Sequence, residues 1–217
     1  MREIGLVVQV QVQRSWLKVR DGTRRVYDPA PLLVVSHLHL ETGGVVGFTD
    51  DGGEIIDVHH VAHPISRNRG GLNGVSIGFT AHYEAMRARF GDHLSNGCAG
   101  ENILVETRRS QSLADLGSRL VFCADRDSTQ VTLEAVQVAP PCVEFSHFVS
   151  GQQEMTPEQV RETLRFLHNG QRGFYASLTG SQRGTVAAGD RLDSTLWNSE
   201  SSADNADCAD SLNCLSG

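Results

Sequence analysis

Three short stretches of this 217-residue chain hold residues able to do chemistry. In "VTLEAVQVAPPCVEFSHF" (131–148) a strand-like run meets Pro140 and Pro141 and then presents Cys142. Proline has no N–H for a central ladder, so the chain must leave its sheet where the thiol appears. A sulfur on a rigid exit suits a nucleophile or a soft metal ligand, and it equally suits a small buried hydrophobe. In "SNGCAGENILVE" (95–106), Gly97 and Gly100 let backbone amides approach a ligand. Gly100, Glu101 and Asn102 then put a carboxylate and an amide at the mouth of an apolar strand. This stretch lacks the Lys-Ser/Thr ending of a phosphate-cradling loop, and on its own it reads as a turn. In "ISRNRGGLNG" (65–74), Arg67 and Arg69 lie beside a glycine pair, where they could fork onto an anion or remain solvated loop charges.

The histidines point elsewhere. His37 and His39 share one face of a strand, and His59, His60 and His63 form H-H-x-x-H in a strand-to-loop region. Neighbouring strand residues face opposite ways and "AHP" is not helical, so the geometry that lets H-E-x-x-H grip zinc is missing. No G-x-S-x-G elbow supports a serine nucleophile. Lys18 is the only lysine, and it lies in a basic stretch, which argues against a pyridoxal phosphate Schiff base.

The elements that must position these residues are mostly strands. "LVVQVQVQ" (6–13) alternates with Val8, Val10 and Val12 on one face and glutamines on the other. Further strands are expected at 31–41, 43–48, 54–62, 118–124, 130–138, 173–179 and 184–193, mostly separated by Gly, Asp or Pro. A helix follows Thr156, which caps it, with Pro157 in the first position, Gln159 closing a capping box and Met155 stapled to Val160. A second helix spans 80–90 and offers Tyr83, Met86 and Phe90 to a core.

The length fits one domain over 1–197, and the acidic tail 198–217 reads as disordered. The tail carries four of the acids behind the formal charge of −7, and without them the charge is about −3. Five cysteines, odd in number and without C-x-x-C pairing, argue for reduced thiols in a soluble, cytoplasmic protein. No apolar run is long enough to span a membrane, and nothing in the charge calls for nucleic acid.

In order along the chain, "GCAGENILVE", "LADLGSRLVF", "VTLEAVQVAPPCVEFS" and "NGQRGFYASLTGSQRGTVAAGDRL" resemble the MOSC domain family, found at the C-terminus of molybdenum cofactor sulfurases and as stand-alone proteins. The resemblance covers roughly 40–193. It rests on Gly100, Glu101 and Asn102, then Cys142, then Arg172 to Ala176, then Val186, Gly189 and Asp190. It implies a β-rich mixed α/β fold, a closed barrel with peripheral helices. It also implies a pocket binding molybdenum cofactor (molybdopterin), with Cys142 as molybdenum ligand and catalytic thiol. Gly100, Glu101, Asn102, Arg67, Arg69 and Arg172 are the expected cofactor-binding residues. "NRGG" and "GVSIGF" stand where stand-alone members carry H-G-G and A-V-H, which implies a different pocket polarity.

Three functions follow as expectations. One is a small cofactor-dependent oxidoreductase fed by an electron-transfer protein. Another is a carrier that takes sulfur from a donor protein as a Cys142 persulfide, or that delivers cofactor. The third is a non-catalytic binding module. The tail cysteines Cys208 and Cys214 are expected to stand outside the mechanism, because acidic neighbours disfavour a thiolate.

Overall fold

The alternating N-terminal stretch forms the longest strand, and the main sheet closes on it. The computed structural model describes residues 1–68, 70, 74–124, 130–152, 154–178 and 183–195. In chain order the elements begin with β1 (Arg2–Gln13), β2 (Lys18–Asp21), β3 (Arg24–Tyr27), β4 (Leu32–Val34), β5 (His37–Glu41), β6 (Gly44–Phe48) and β7 (Glu54–Ile56). There follow β8 (Val75–Phe79), α1 (Thr80–Phe90), β9 (Ile103–Glu106), α2 (Leu113–Leu116), β10 (Arg119–Cys123) and β11 (Gln130–Val138). The last are α3 (Val143–Ser150), α4 (Pro157–His168), β12 (Phe174–Leu178), β13 (Gly184–Ala187) and β14 (Arg191–Thr195).

Seven strands close into a barrel in the order β14, β10, β11, β12, β8, β9, β1, and β1 returns to β14. Only β8 and β9 run parallel, so the barrel is mixed. Strands β13, β5, β6 and β7 make a flanking sheet, β4 adds to the end of β1, and β2 with β3 forms a separate hairpin. The barrel interior is filled by Phe79, Phe122, Phe174, Ile77, Leu120 and Leu133, each almost wholly buried. Each such side chain contributes about 1.5–3 kcal/mol through burial. A second cluster, with Tyr83, Met86, Phe145 and Leu167, packs the helices onto the outside.

Several expected strands change shape for physical reasons. In β1 the pairing to β9 slips between Val7 and Gln9, so Val7, Val10 and Val12 face the core while Val8 is exposed. An extra residue in one strand inverts the faces beyond it. Gln11 and Gln13 are buried as a result, and Gln11 Nε2 is satisfied by the carbonyls of Gly97 and Glu101 at 2.8 and 2.7 Å. The run 31–41 is two strands, because Val35 N–H donates to Val10 and Ser36 N–H to Phe48, carrying the chain from one sheet to the other. The run 54–62 ends as a strand at Ile56, where Asp57 starts a turn. The run 184–193 splits between two sheets around Gly189, whose φ of 96° and N–H bond to Val7 O make the corner.

The expected capping box of α4 is present, with Thr156 and Gln159 each accepting from the other's backbone N–H. Residues 196–217, including Cys208 and Cys214, lie outside the described residues.

Candidate functional site

Strand β11 ends at Val138, and the two prolines carry the chain out to Cys142, which becomes the N-cap of α3. The first turn of a helix has N–H groups without intrahelical partners. Cys142 Sγ accepts one of them, Phe145 N–H, at 3.5 Å, and the residue is half-buried. The strand exit is tied across to the turn before β12 by Ala139 N–H donating to Gly173 O at 3.0 Å. Gly173 has a φ of 105°, and a Cβ there would meet Ile77 O at 2.6 Å, so this close approach requires glycine. It brings Arg172 beside the thiol.

Arg172, Cys142, Gly100, Glu101 and Arg67 line one cleft of about 410 Å³. Of the remaining expected site residues, Asn102 lies behind it. Its Oδ1 accepts from Ser76 N–H and Oγ–H at 3.0 and 2.8 Å, and its Nδ2 donates to Asp57 at 2.9 Å and to Gln11 O at 3.3 Å. With every hydrogen-bonding position taken inside the protein, Asn102 holds β8, β9 and β1 together. Arg69 lies outside the described residues.

The electrostatics of the cleft are lopsided. Lys18, Arg25, Arg67 and Arg172 line it, against one carboxylic acid, Glu101. Lys18 and Arg25 sit 3.6 Å from Glu144. Arg172 Nη1 donates to Tyr175 Oη at 3.2 Å, and its guanidinium lies 5.7 Å from the Phe145 ring centre, yet its buried Nε has no protein partner. Burial works against its charge, but Tyr175, Tyr27 and Cys142 outweigh it and hold the guanidinium ionised. Glu101 is 4% exposed and takes the Tyr83 hydroxyl at 2.7 Å. Burial pushes its carboxyl above the ordinary range, against the opposing pull of backbone N–H, Tyr83 and Arg172. An uncompensated buried donor such as Arg172 Nε is costly unless a ligand meets it.

The cleft is also lined by residues that the sequence reading either passed over or set aside. Trp16, just past β1, carries the Arg67 guanidinium 4.8 Å from its ring centre, and its edge meets His59 at 5.8 Å. Asp57, fully buried, accepts from Gln13 N–H at 2.7 Å, Asn102 Nδ2 at 2.9 Å and His59 N–H at 2.8 Å, and lies 3.0 Å from His59 Nδ1. The other histidines are dispersed. His37 stacks on Phe48, His60 binds Glu41, and no three His, Cys, Asp or Glu gather among the described residues. A cue was available in "IIDVH", where an acid two residues before a histidine closes an Asx-type turn.

Two of the thiols are held protonated by their surroundings. Burial pushes Cys98 up to about 12, and Cys123, next to Asp193, is also raised, chiefly by burial. From an ordinary 9.0, Cys98 keeps roughly a thousandfold less thiolate at neutral pH. Iodoacetamide followed by peptide mass spectrometry is therefore expected to label Cys142 well before Cys98 or Cys123. Equal rates at the three would remove the functional reading of Cys142.

No protein-family model matches the sequence, and no curated protein matches it. The chain is similar to three solved structures. YuaD of Bacillus subtilis has 15% identity and a TM-score of 0.49 over 88% of this chain and 93% of that one. A hypothetical protein has 13% identity and a TM-score of 0.50 over 88% and 68%. YiiM of Geobacillus stearothermophilus has 15% identity and a TM-score of 0.46 over 88% and 73%. At 13% identity, the second of these shows a shared fold, which leaves the chemistry to be argued from the cleft itself.

Proposed function

We propose that this chain is a MOSC-type protein that binds molybdenum cofactor in the cleft, with Cys142 as protein ligand to molybdenum, and that it works as a small oxidoreductase. The observation that carries the reading is the donor set. A metal held by protein alone needs about four ligands, and among the described residues the cleft offers one soft thiol and no cluster of three His, Cys, Asp or Glu. One thiolate suits a metal that arrives with ligands of its own, as molybdenum does on the dithiolene of its pterin. The surroundings fit the rest of that group. The unpartnered Nε of Arg172 and the cations Lys18, Arg25 and Arg67 suit a phosphate, and Gly100, with a φ of 91°, lets its backbone pack against Leu17 at the edge of the cleft, where a Cβ would meet Leu17 Cδ1 at 2.7 Å.

When bound, the cofactor supplies two-electron chemistry at molybdenum. The chain's own part is to present Sγ from a helix N-cap, to hold the anionic end with guanidinium groups, and to keep the inner wall dry with Phe174 and Tyr27. Among the described residues no helix is long and apolar enough to cross a membrane.

The test is elemental analysis with pterin fluorescence on the full chain expressed in a host that makes the cofactor. Wild type is expected to carry molybdenum and pterin. Cys142→Ser should lose most of the metal, and Arg172→Ala should retain less pterin while remaining folded. Metal-free wild type carrying a persulfide on Cys142 would replace this reading with that of a sulfur carrier. Wild type with neither would leave a binding module.

A further inference from the structure

One pair among the dispersed histidines stands close together, on the outer face of the flanking sheet. His37 and His39 are two apart on β5, and they face away from Leu38 and Leu40, which are wholly buried on the other side. Their ring centres are 5.5 Å apart. Phe48, paired with His37 across from β6, packs against both rings: it stacks on His37 at 4.8 Å with the planes 5° apart, and it meets His39 at 4.3 Å. The hydrogen bonds then assign one ring nitrogen. Ser36 Oγ has a single hydrogen, which it gives to Phe48 O at 2.7 Å. The same oxygen lies 3.1 Å from His37 Nδ1, so it accepts there, and Nδ1 carries the ring hydrogen. Nε2 of His37 is left with its lone pair. Histidines that ligate metals commonly have this arrangement, in which the second nitrogen donates to an oxygen and so holds the ring. His39 is exposed and meets no hydrogen-bond partner among the described residues.

The spacing suits one shared ion. A histidine nitrogen binds zinc at about 2.0–2.1 Å, which puts the ligating ring's centre about 3.2 Å from the metal. Two such centres at a tetrahedral angle are about 5.2 Å apart, close to the separation observed. The neighbours do not oppose a cation. Ala187 and Thr185 lie across from His37 and His39 on β13, and Phe48 and Val46 on β6, so the positions directly opposite the two rings carry no charge. Glu41, the next residue on this face, is engaged by His60 and Arg183 and adds no third donor. The protein thus offers two imidazoles, which makes a site for an exchangeable ion rather than one that holds the fold together.

We propose that His37 and His39 chelate one divalent transition-metal ion on the flanking sheet, His37 through Nε2, with water in the remaining positions. Imidazole nitrogens select zinc, nickel or copper over magnesium or calcium. Each ring displaces one water from the ion, and nothing is oxidised or reduced. Neither histidine lines the cleft, so the site stands or falls independently of the molybdenum reading.

The probe is Ni²⁺ alone, titrated into the full chain by calorimetry. Wild type is expected to bind it, and His37→Gln and His39→Gln should each weaken the binding at least about tenfold, because a chelate becomes a single contact. His93→Gln removes an exposed histidine elsewhere and Cys142→Ser removes the cleft thiol, and both should bind as wild type does. A second measurement needs no variant. Ni²⁺ is paramagnetic, so a substoichiometric amount should broaden the ring resonances of His37 and His39 together in the NMR spectrum, ahead of those of His93. Absence of Ni²⁺ binding overturns the proposal, as does binding that survives either His37→Gln or His39→Gln unchanged. Loss of binding in Cys142→Ser assigns the ion to the cleft and overturns it too, and so does broadening of one ring without the other.

Discussion

Asp57→Ala is expected to lower the free energy of unfolding by about 3 to 5 kcal/mol, which is large for a side chain lying among loop residues. The carboxylate is fully buried, and its removal takes the acceptor from three N–H donors: Gln13 N, one hydrogen of Asn102 Nδ2, and His59 N. Each buried donor left unmet costs about 1–3 kcal/mol. The damage should spread, because Asn102 links β1 to β8 and Gln13 ends the strand on which the barrel closes. Asp57→Asn keeps the volume but must turn its own N–H₂ toward one pair of donors, so an intermediate loss of about 2 kcal/mol is expected. Urea unfolding of the two variants checks both figures. A loss below about 1 kcal/mol for Asp57→Ala would mean that water replaces the carboxylate and that the turn is looser than its hydrogen bonds imply.

Asp57 also marks the limit of what could be read from the sequence. The barrel was legible because its strands are β-branched and separated by turn residues, and α4 because its capping box and proline are local signals. Cys142 stood out through Pro140 and Pro141, whose effect on a ladder is also local. The unread parts depend on partners distant in sequence. Asp57 looks like one more polar residue in "EIIDVHHVA" until Asn102 and Gln13 are brought to it. Asn102 itself was expected at the ligand, and its amide is instead consumed by the framework. The β2–β3 hairpin is too short and too charged to show an alternation, yet it places Lys18, Arg25 and Tyr27 on the cleft. Helix α3 is rich in β-branched and aromatic residues, and it is helical because Phe145 and Val149 reach the outer core while Cys142 caps it.

The second large effect depends on pH. His82, in α1, is 1% exposed, with Phe79 against its edge and Phe174, a lining residue of the cleft, 6.1 Å away. Its Nε2 lies 3.0 Å from Gln111 O and 2.9 Å from Gln111 N, while Nδ1 is buried without a partner. An imidazolium needs two acceptors and finds at most one here, so burial lowers the ring from 6.5 to about 4, with the Gln111 backbone pulling weakly the other way. The folded protein therefore resists a proton that the unfolded chain accepts. The stabilisation is complete above about pH 6.5 and is lost as the pH falls through about 4, a change of roughly 3 kcal/mol at about 1.36 kcal/mol per unit. Glu101 acts in the opposite sense, since its raised carboxyl contributes stability at low pH that is lost as the pH rises. The wild-type profile thus mixes the two, and a difference is needed to isolate His82. His82→Gln does not titrate and can still accept from Gln111 N–H, so its unfolding free energy should fall less steeply between pH 6.5 and 4, closing most of the gap to wild type at the acid end. Parallel profiles for wild type and variant would show that the ring is charged in the folded state, and that the packing of Phe79 and Phe174 around it admits water.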